Sequence, residues 1–135
     1  GHHTLHPEGP RCFCGRRGCA ETLLSGPALE ERWRQLGGRR MPLVEIVHGA
    51  LDDAIGRRWK GEFLRNFGSG LGNVINIVDP DAIVLGGGVS NVEFLYSDGV
   101  EAVRSNIFGD VRETPILVNE LGDSAGVFGA ALLWQ

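Results

Sequence analysis

Residues 73–91 read NVINIVDPDAIVLGGGVSN, and the architecture turns on where this run is cut. Asp79-Pro80 is the first cut. The proline ring disfavours helical geometry for the residue before it, so a helix arriving from the N-terminal side stops there. The AIVLG that follows (82–86) is short, rich in β-branched residues and continuously apolar, which predicts a buried strand. Gly86, Gly87 and Gly88 form the next joint. Ser90 and Glu93 then stand at capping-box spacing and predict a helix over about 91–106. Further on, PILVN (115–119) predicts a second strand. GDSAGVFGAALLW (122–134) predicts a final helix that Asp123 or Ser124 can cap. The order helix–strand–helix–strand–helix implies an α/β fold with parallel neighbouring strands. Two strands make a poor sheet, so the expectation is a larger sheet completed by polypeptide outside these residues, and an exposed apolar edge in its absence.

Toward the N-terminus the pattern is helical. GPALEERWRQLGG (26–38) has Pro27 at its first turn, Leu29, Trp33 and Leu36 on one face, and a Gly-Gly stop. Pro42 opens another helix, PLVEIVHGAL (42–51). A longer one follows Asp52, in which Phe63, Phe67, Leu71, Val74 and Val78 recur at helical spacing and predict one buried stripe. Gly68, Gly70 and Gly72 lie inside it. Each weakens a helix by up to about 1 kcal/mol relative to alanine, and the return expected is close approach of another backbone. The chain thus divides into a cysteine-bearing segment with a short helix (1–24), a helical region (25–78) and a strand–helix–strand–helix unit (79–135).

Composition bounds the function. With 42% hydrophobic and 22% charged residues in 135, the chain reads as a soluble globular domain. It has no apolar run of the roughly 18 residues a membrane span needs, and no basic-then-apolar leader. A net charge of −4 argues against nucleic acid as a partner of this segment. The expected compartment is the cytoplasm: an odd count of three cysteines cannot pair off completely, and their grouping favours a metal over disulfides.

That grouping is RCFCGRRGCAE (11–21). Cys12, Cys14 and Cys19 offer three thiolates within eight residues, and zinc favours four tetrahedral thiolate or imidazole ligands. Gly15 and Gly18 permit the sharp turn that Cys12 and Cys14 need to bind together. The fourth ligand is open among His2, His3 and His6, since His48 falls within a predicted helix. A closed four-ligand site leaves no position for a catalytic water, so the role expected of the metal is structural.

Gly1-His2 together with RCFCGRRGCAETLLSG (11–26), NVINIVDPDAIVLGGGVSN and GDSAGVFGAALLW resembles the ROK family of bacterial sugar kinases and sugar-responsive repressors. Within it, VFGAALLW and SNVEFLY look most like fructokinases and broad hexokinases. The resemblance covers nearly the whole chain. It implies part of an actin-like, ribonuclease-H-like ATPase fold: an incomplete C-terminal lobe with a zinc-clipped N-terminal segment. It also selects the fourth ligand, since the family's zinc histidine stands ten positions before the first cysteine, making the set His2, Cys12, Cys14 and Cys19. It further implies that His2 and Glu21 meet the sugar and that Gly86, Gly87 and Gly88 lie against ATP. A carboxylate such as Glu21 accepts hydrogen bonds from neighbouring ring hydroxyls, although a glutamate at a helix start also has a purely structural use.

The family's phosphate-binding Asp-x-Gly-x-Thr segment and its catalytic aspartate belong upstream of the zinc motif and are not among these residues. The implied function is therefore the C-terminal part of an ATP-dependent kinase acting on a hexose hydroxyl, C6 of a fructose, glucose or mannose class sugar, using Mg-ATP and inactive alone. The implied partners are a hexose, ATP, and either a missing N-terminal portion or further copies of the chain. Two other readings remain: the sugar-sensing part of a repressor, and a non-catalytic interaction domain.

Overall fold

The computed structural model of the chain describes residues 1–109, 114–122 and 125–134. Its longest element is the helix Ala54–Val78, and the rest is arranged about it. Three helices precede it: α1 (Glu21–Leu24), α2 (Gly26–Gln35) and α3 (Leu43–Gly49). Ser25 alone separates α1 from α2; its backbone is extended and its Oγ accepts the Ala28 N–H at 3.3 Å, a cap that lets the chain turn and restart. Pro27 occupies the first turn of α2 as expected. The long helix, α4 (Ala54–Val78), is capped by Asp53, whose carboxylate accepts the Gly56 N–H at 2.7 Å. It ends at Asp79, which takes the left-handed conformation (φ 48°) immediately before Pro80.

Aromatic residues make the centre of the core. Trp33, Trp59, Phe63 and Phe94 follow one another with ring centroids 6.4, 5.5 and 5.7 Å apart, mostly edge to face. This is the arrangement that ring quadrupoles favour. Both indole N–H groups find backbone acceptors, Trp59 on the Leu29 carbonyl and Trp33 on the Arg39 carbonyl, each at 2.9 Å. Their burial therefore leaves no orphan donor.

The face of α4 that is buried differs from the one its large residues suggest. Phe63 and Phe67 are buried as expected, but Val74 and Val78 are exposed and Ile75 takes their place. Gly68 and Gly72 explain the shift. They form a shallow track, one turn apart, on which α5 (Asp98–Arg104) and the residues after it rest. A Cβ on Gly68 would stand 2.4 Å from the Ala102 carbonyl oxygen, and one on Gly72 would stand 2.6 Å from Asn106 Cβ. The small residues, not the large ones, set which side of the helix is covered. Despite its glycines the helix runs unbroken.

β1 (Ile83–Leu85) and β2 (Ile116–Val118) pair in parallel, with Ile83, Val84 and Leu85 opposite Ile116, Leu117 and Val118. They are the only sheet among the described residues. β1 is half-buried rather than buried. Val84 and Leu117, in register on one face, project into solvent because no layer of the described residues covers that face, and Val118 at the end of the other face is exposed as well. The last helix, α6 (Ala125–Leu132), also leaves Val127, Phe128 and Leu132 exposed, with Leu133 and Trp134 beyond it. The capping role expected of Asp123 or Ser124 lies outside the described residues.

The helix expected over 91–106 is divided. Short 3-10 turns occupy Gly88–Asn91 and Glu93–Tyr96, and α-helix begins only at Asp98. Ser90 does not cap. Its Oγ–H donates to the Gly87 carbonyl at 2.7 Å, and its own carbonyl accepts from Tyr96 Oη–H at 2.7 Å. With both groups committed to the turn, the capping-box geometry is lost.

Candidate metal centre

Residues 1–20 have almost no regular structure and are ordered by a few backbone bonds. Cys12 N–H donates to the Arg16 carbonyl at 2.8 Å and Gly15 N–H to the Cys12 carbonyl at 3.0 Å, closing the cysteine turn. The segment 3–6 lies against 18–20, with Leu5 N–H on the Gly18 carbonyl and Ala20 N–H on the His3 carbonyl. Gly18 has φ 58° and presses so closely on His6 that a Cβ would overlap the His6 carbonyl oxygen. Only glycine fits there.

This packing gathers His2, Cys12, Cys14 and Cys19, whose ligand atoms all lie within 4.8 Å of one another. His2 Nδ1 is 3.5 Å from Cys12 Sγ, and Cys14 Sγ is 3.6 Å from Cys19 Sγ. Tetrahedral zinc with ordinary Zn–N and Zn–S bonds places such pairs at about 3.6 and 3.8 Å. The donor set is three thiols and one imidazole, a combination suited to zinc, so the residues fit the ion. His6 is engaged elsewhere, its Nε2 lying 2.9 Å from Asn66 Oδ1, and His3 is not in the group.

The three thiols differ. Cys14 is exposed, and hydrogen bonds from the Arg16 backbone and guanidinium lower its pKa to about 6. Burial, with the neighbouring thiols, pushes Cys19 up to about 11. Cys12 is buried. Arg16, first through its backbone N–H and then through its guanidinium, thus holds one candidate ligand in the thiolate form that metals bind. Spacing gave no sign of this part for Arg16, an exposed residue of the cysteine turn. Two further contacts support the centre: Phe13 sets its ring edge-on to His2 at 4.8 Å, and Thr22 Oγ1 donates to the Cys19 carbonyl at 2.8 Å.

Glu21 begins α1 two residues after the last cysteine. Its N–H donates to the Gly1 carbonyl at 2.7 Å, and its carboxylate lies so near Gly1 that a Cβ there would stand 2.7 Å from Glu21 Oε2. The fold therefore brings the carboxylate beside the residue that precedes His2. Gly86, Gly87 and Gly88 belong to another part of the molecule, the carboxyl end of β1, and a Cβ on any of them meets nothing within 4 Å. Among the described residues, no helix is long and apolar enough to cross a membrane.

Comparison with known proteins bears on this arrangement. The model of the ROK family matches residues 1–135. An N-acetyl-D-glucosamine kinase of Mannheimia succiniciproducens is 36% identical over 124 residues, which are 91% of this chain and 41% of the relative. The chain thus spans about two fifths of the length of the curated relatives it matches. Among solved structures, a ROK hexokinase from Thermus thermophilus superposes with a TM-score of 0.83 at 36% identity, covering 98% of this chain and 45% of that one. A ROK family glucokinase from Streptomyces griseus, in complex with glucose and AMPPNP, superposes at 0.85 with 28% identity, covering 98% and 49%. The fold is that of the actin-like ROK kinases, and the chain belongs to the ROK family.

Proposed function

We propose that this chain is the C-terminal part of an ATP-dependent sugar kinase, which transfers the γ-phosphate of ATP to a hexose hydroxyl at C6. The observation that carries the reading is the position of Glu21: a carboxylate at the start of a helix, next to a cluster of His2 and three cysteines that fits zinc. In this reading Glu21 accepts hydrogen bonds from two ring hydroxyls, and His2 offers its second ring nitrogen to another. Zinc, held by His2, Cys12, Cys14 and Cys19, supplies only rigidity. Gly86–Gly88 admit the adenine nucleotide, which enters as its magnesium complex.

The group that activates the attacking hydroxyl is, on family resemblance, an aspartate upstream of these residues. Phosphoryl transfer depends on such positioning and on charge stabilisation, so residues 1–135 alone are expected to turn nothing over. The names of the relatives support hexoses and N-acetylhexosamines as the substrate class. We place the protein in the cytoplasm, where ATP is supplied and thiols stay reduced, and assign the exposed apolar side chains of the sheet and α6 to contact with the N-terminal part of the same protein.

The test is a coupled ADP-release assay on the protein expressed from its complete reading frame, with glucose, mannose, fructose, N-acetylglucosamine and N-acetylgalactosamine. Turnover of at least one sugar is expected. Hexose binding without turnover, combined with DNA binding, would establish the repressor reading instead. Neither binding nor turnover would leave an interaction domain.

A further inference from the structure

The residue after β2 is Asn119. Since Leu85 pairs with Val118, Asn119 lies one step past the strand ends, level with the start of the Gly86–Gly88 loop. Ligands of open α/β sheets bind at this carboxyl end of the strands. Asn119 Nδ2 donates two hydrogen bonds, to the Leu85 carbonyl at 2.9 Å and to Ser90 Oγ at 3.2 Å. One acceptor stands immediately before the three glycines and the other stands two residues after them.

The link continues through Ser90, whose side chain is buried. Its Oγ–H and its N–H both donate to the Gly87 carbonyl, at 2.7 and 2.9 Å. The Ser90 carbonyl accepts in turn from Tyr96. Three carbonyl oxygens of the loop, those of Leu85, Gly87 and Ser90, are therefore turned to donors of the protein, which keeps their negative ends away from an approaching anion. Gly87 has φ 78° and open space before it, so backbone is what a ligand meets.

The amide's orientation follows from its partners. A carbonyl accepts only, so the NH2 group must face Leu85. Oδ1 is then left on the other side, where it is buried without a hydrogen-bond partner among the described residues. Buried polar atoms are rarely left so, and keeping the donor end in place accounts for this one.

We infer that Asn119 is a positioning residue for nucleotide binding: through Leu85 and Ser90 it holds Gly86–Gly88 in the shape that receives an adenine nucleotide. This rests on the reading of those glycines as the nucleotide loop. The test uses the protein from its complete reading frame, with calorimetric titration of ADP and of glucose or N-acetylglucosamine, on wild type, Asn119→Ala and Ser90→Ala. Two lost hydrogen bonds predict ADP binding weakened by about tenfold in Asn119→Ala, with hexose binding within about twofold of wild type and a smaller ADP defect in Ser90→Ala.

If wild type binds hexose but no adenine nucleotide, the reading of the glycine loop itself is wrong, and the inference falls with it. If wild type binds ADP and the folded Asn119→Ala protein binds it equally well, the loop reading stands and the positioning role is overturned. Equal weakening of ADP and hexose would also overturn it, since that marks general loosening. Should Asn119→Ala not fold, Ser90→Ala decides: a selective ADP defect supports the relay and an unchanged affinity overturns it.

Discussion

His2 Nδ1 stands 3.5 Å from Cys12 Sγ, although ten positions separate the two in sequence. The turns at Gly15 and Gly18 and the short pairing of residues 3–6 with 18–20 produce that approach, so the candidate metal site and the fold of the N-terminal segment are one structure. About one zinc ion per chain is expected. Cys14→Ser should lower zinc affinity at least about a hundredfold, because it removes a ligand outright where loss of a supporting contact already costs ten- to a hundredfold. Metal analysis after dialysis, followed by thermal melting, checks this. A variant that keeps its zinc would remove Cys14 from the ligand set.

In the metal-free protein Cys14 and Cys19 should react very differently. With its pKa lowered to about 6 by Arg16, Cys14 is about 90% thiolate at pH 7 and should alkylate first, its rate rising through pH 6 and then levelling. Cys19, raised to about 11 by burial, should lag until strongly alkaline pH. Mass spectrometry of iodoacetamide adducts across pH 5–9 resolves the order. Arg16→Ala should move the Cys14 profile back toward the ordinary thiol range.

Part of this structure was legible in the sequence for simple reasons. Turn glycines, the Asp79-Pro80 stop and the helix starts are local, so α1 to α4 and both strands stand near their expected positions. The cysteine spacing offers three candidate ligands, while the fourth came from resemblance because spacing alone cannot separate His2 from His3 or His6. What failed depended on partners far along the chain. Val74 and Val78 fit a helical stripe, yet Gly68 and Gly72 decided the packing because α5 needed close approach. Ser90 matched a cap, yet Gly87 and Tyr96 claimed it. Asn119 gave no signal beyond a polar residue closing an apolar strand.

The contact of α4 with α5 makes Gly68 and Gly61 opposites. Gly68→Ala places a methyl against the Ala102 carbonyl and should destabilise by about 1–3 kcal/mol, as overpacking does. At Gly61 a Cβ meets only the end of Arg65 at 3.5 Å. Gly61→Ala should therefore stabilise by about 0.4–1 kcal/mol through reduced freedom of the unfolded chain. Urea denaturation of the two variants should shift the midpoint in opposite directions.

Arg32 grips Glu62 with two hydrogen bonds, Nε to Oε2 at 2.6 Å and Nη2 to Oε1 at 3.0 Å. The pair joins α2 to α4, and Arg32 holds the Glu62 carboxyl below its usual pKa. A depressed carboxyl contributes stability above its unfolded pKa and loses it as pH falls through the folded value. Because the Arg32 side chain is 40% exposed, solvent screening limits the effect of Glu62→Gln to about 1 kcal/mol at pH 7. The gap from wild type should close in acid, below the ordinary glutamate range. Stability curves measured from pH 7 down to pH 3 test it, and a gap that stays constant would contradict the assignment.

The most direct test of the account concerns Glu21. Hexose binding by the protein expressed from its complete reading frame should be compared between wild type and Glu21→Gln, with zinc measured in the same samples. The account predicts that the variant keeps about one zinc per chain and its melting temperature but loses at least about tenfold in hexose affinity, the loss of a charge-assisted hydrogen bond. Unchanged hexose binding at full zinc occupancy would contradict it, and the metal centre would then be a clip with no part in holding a sugar.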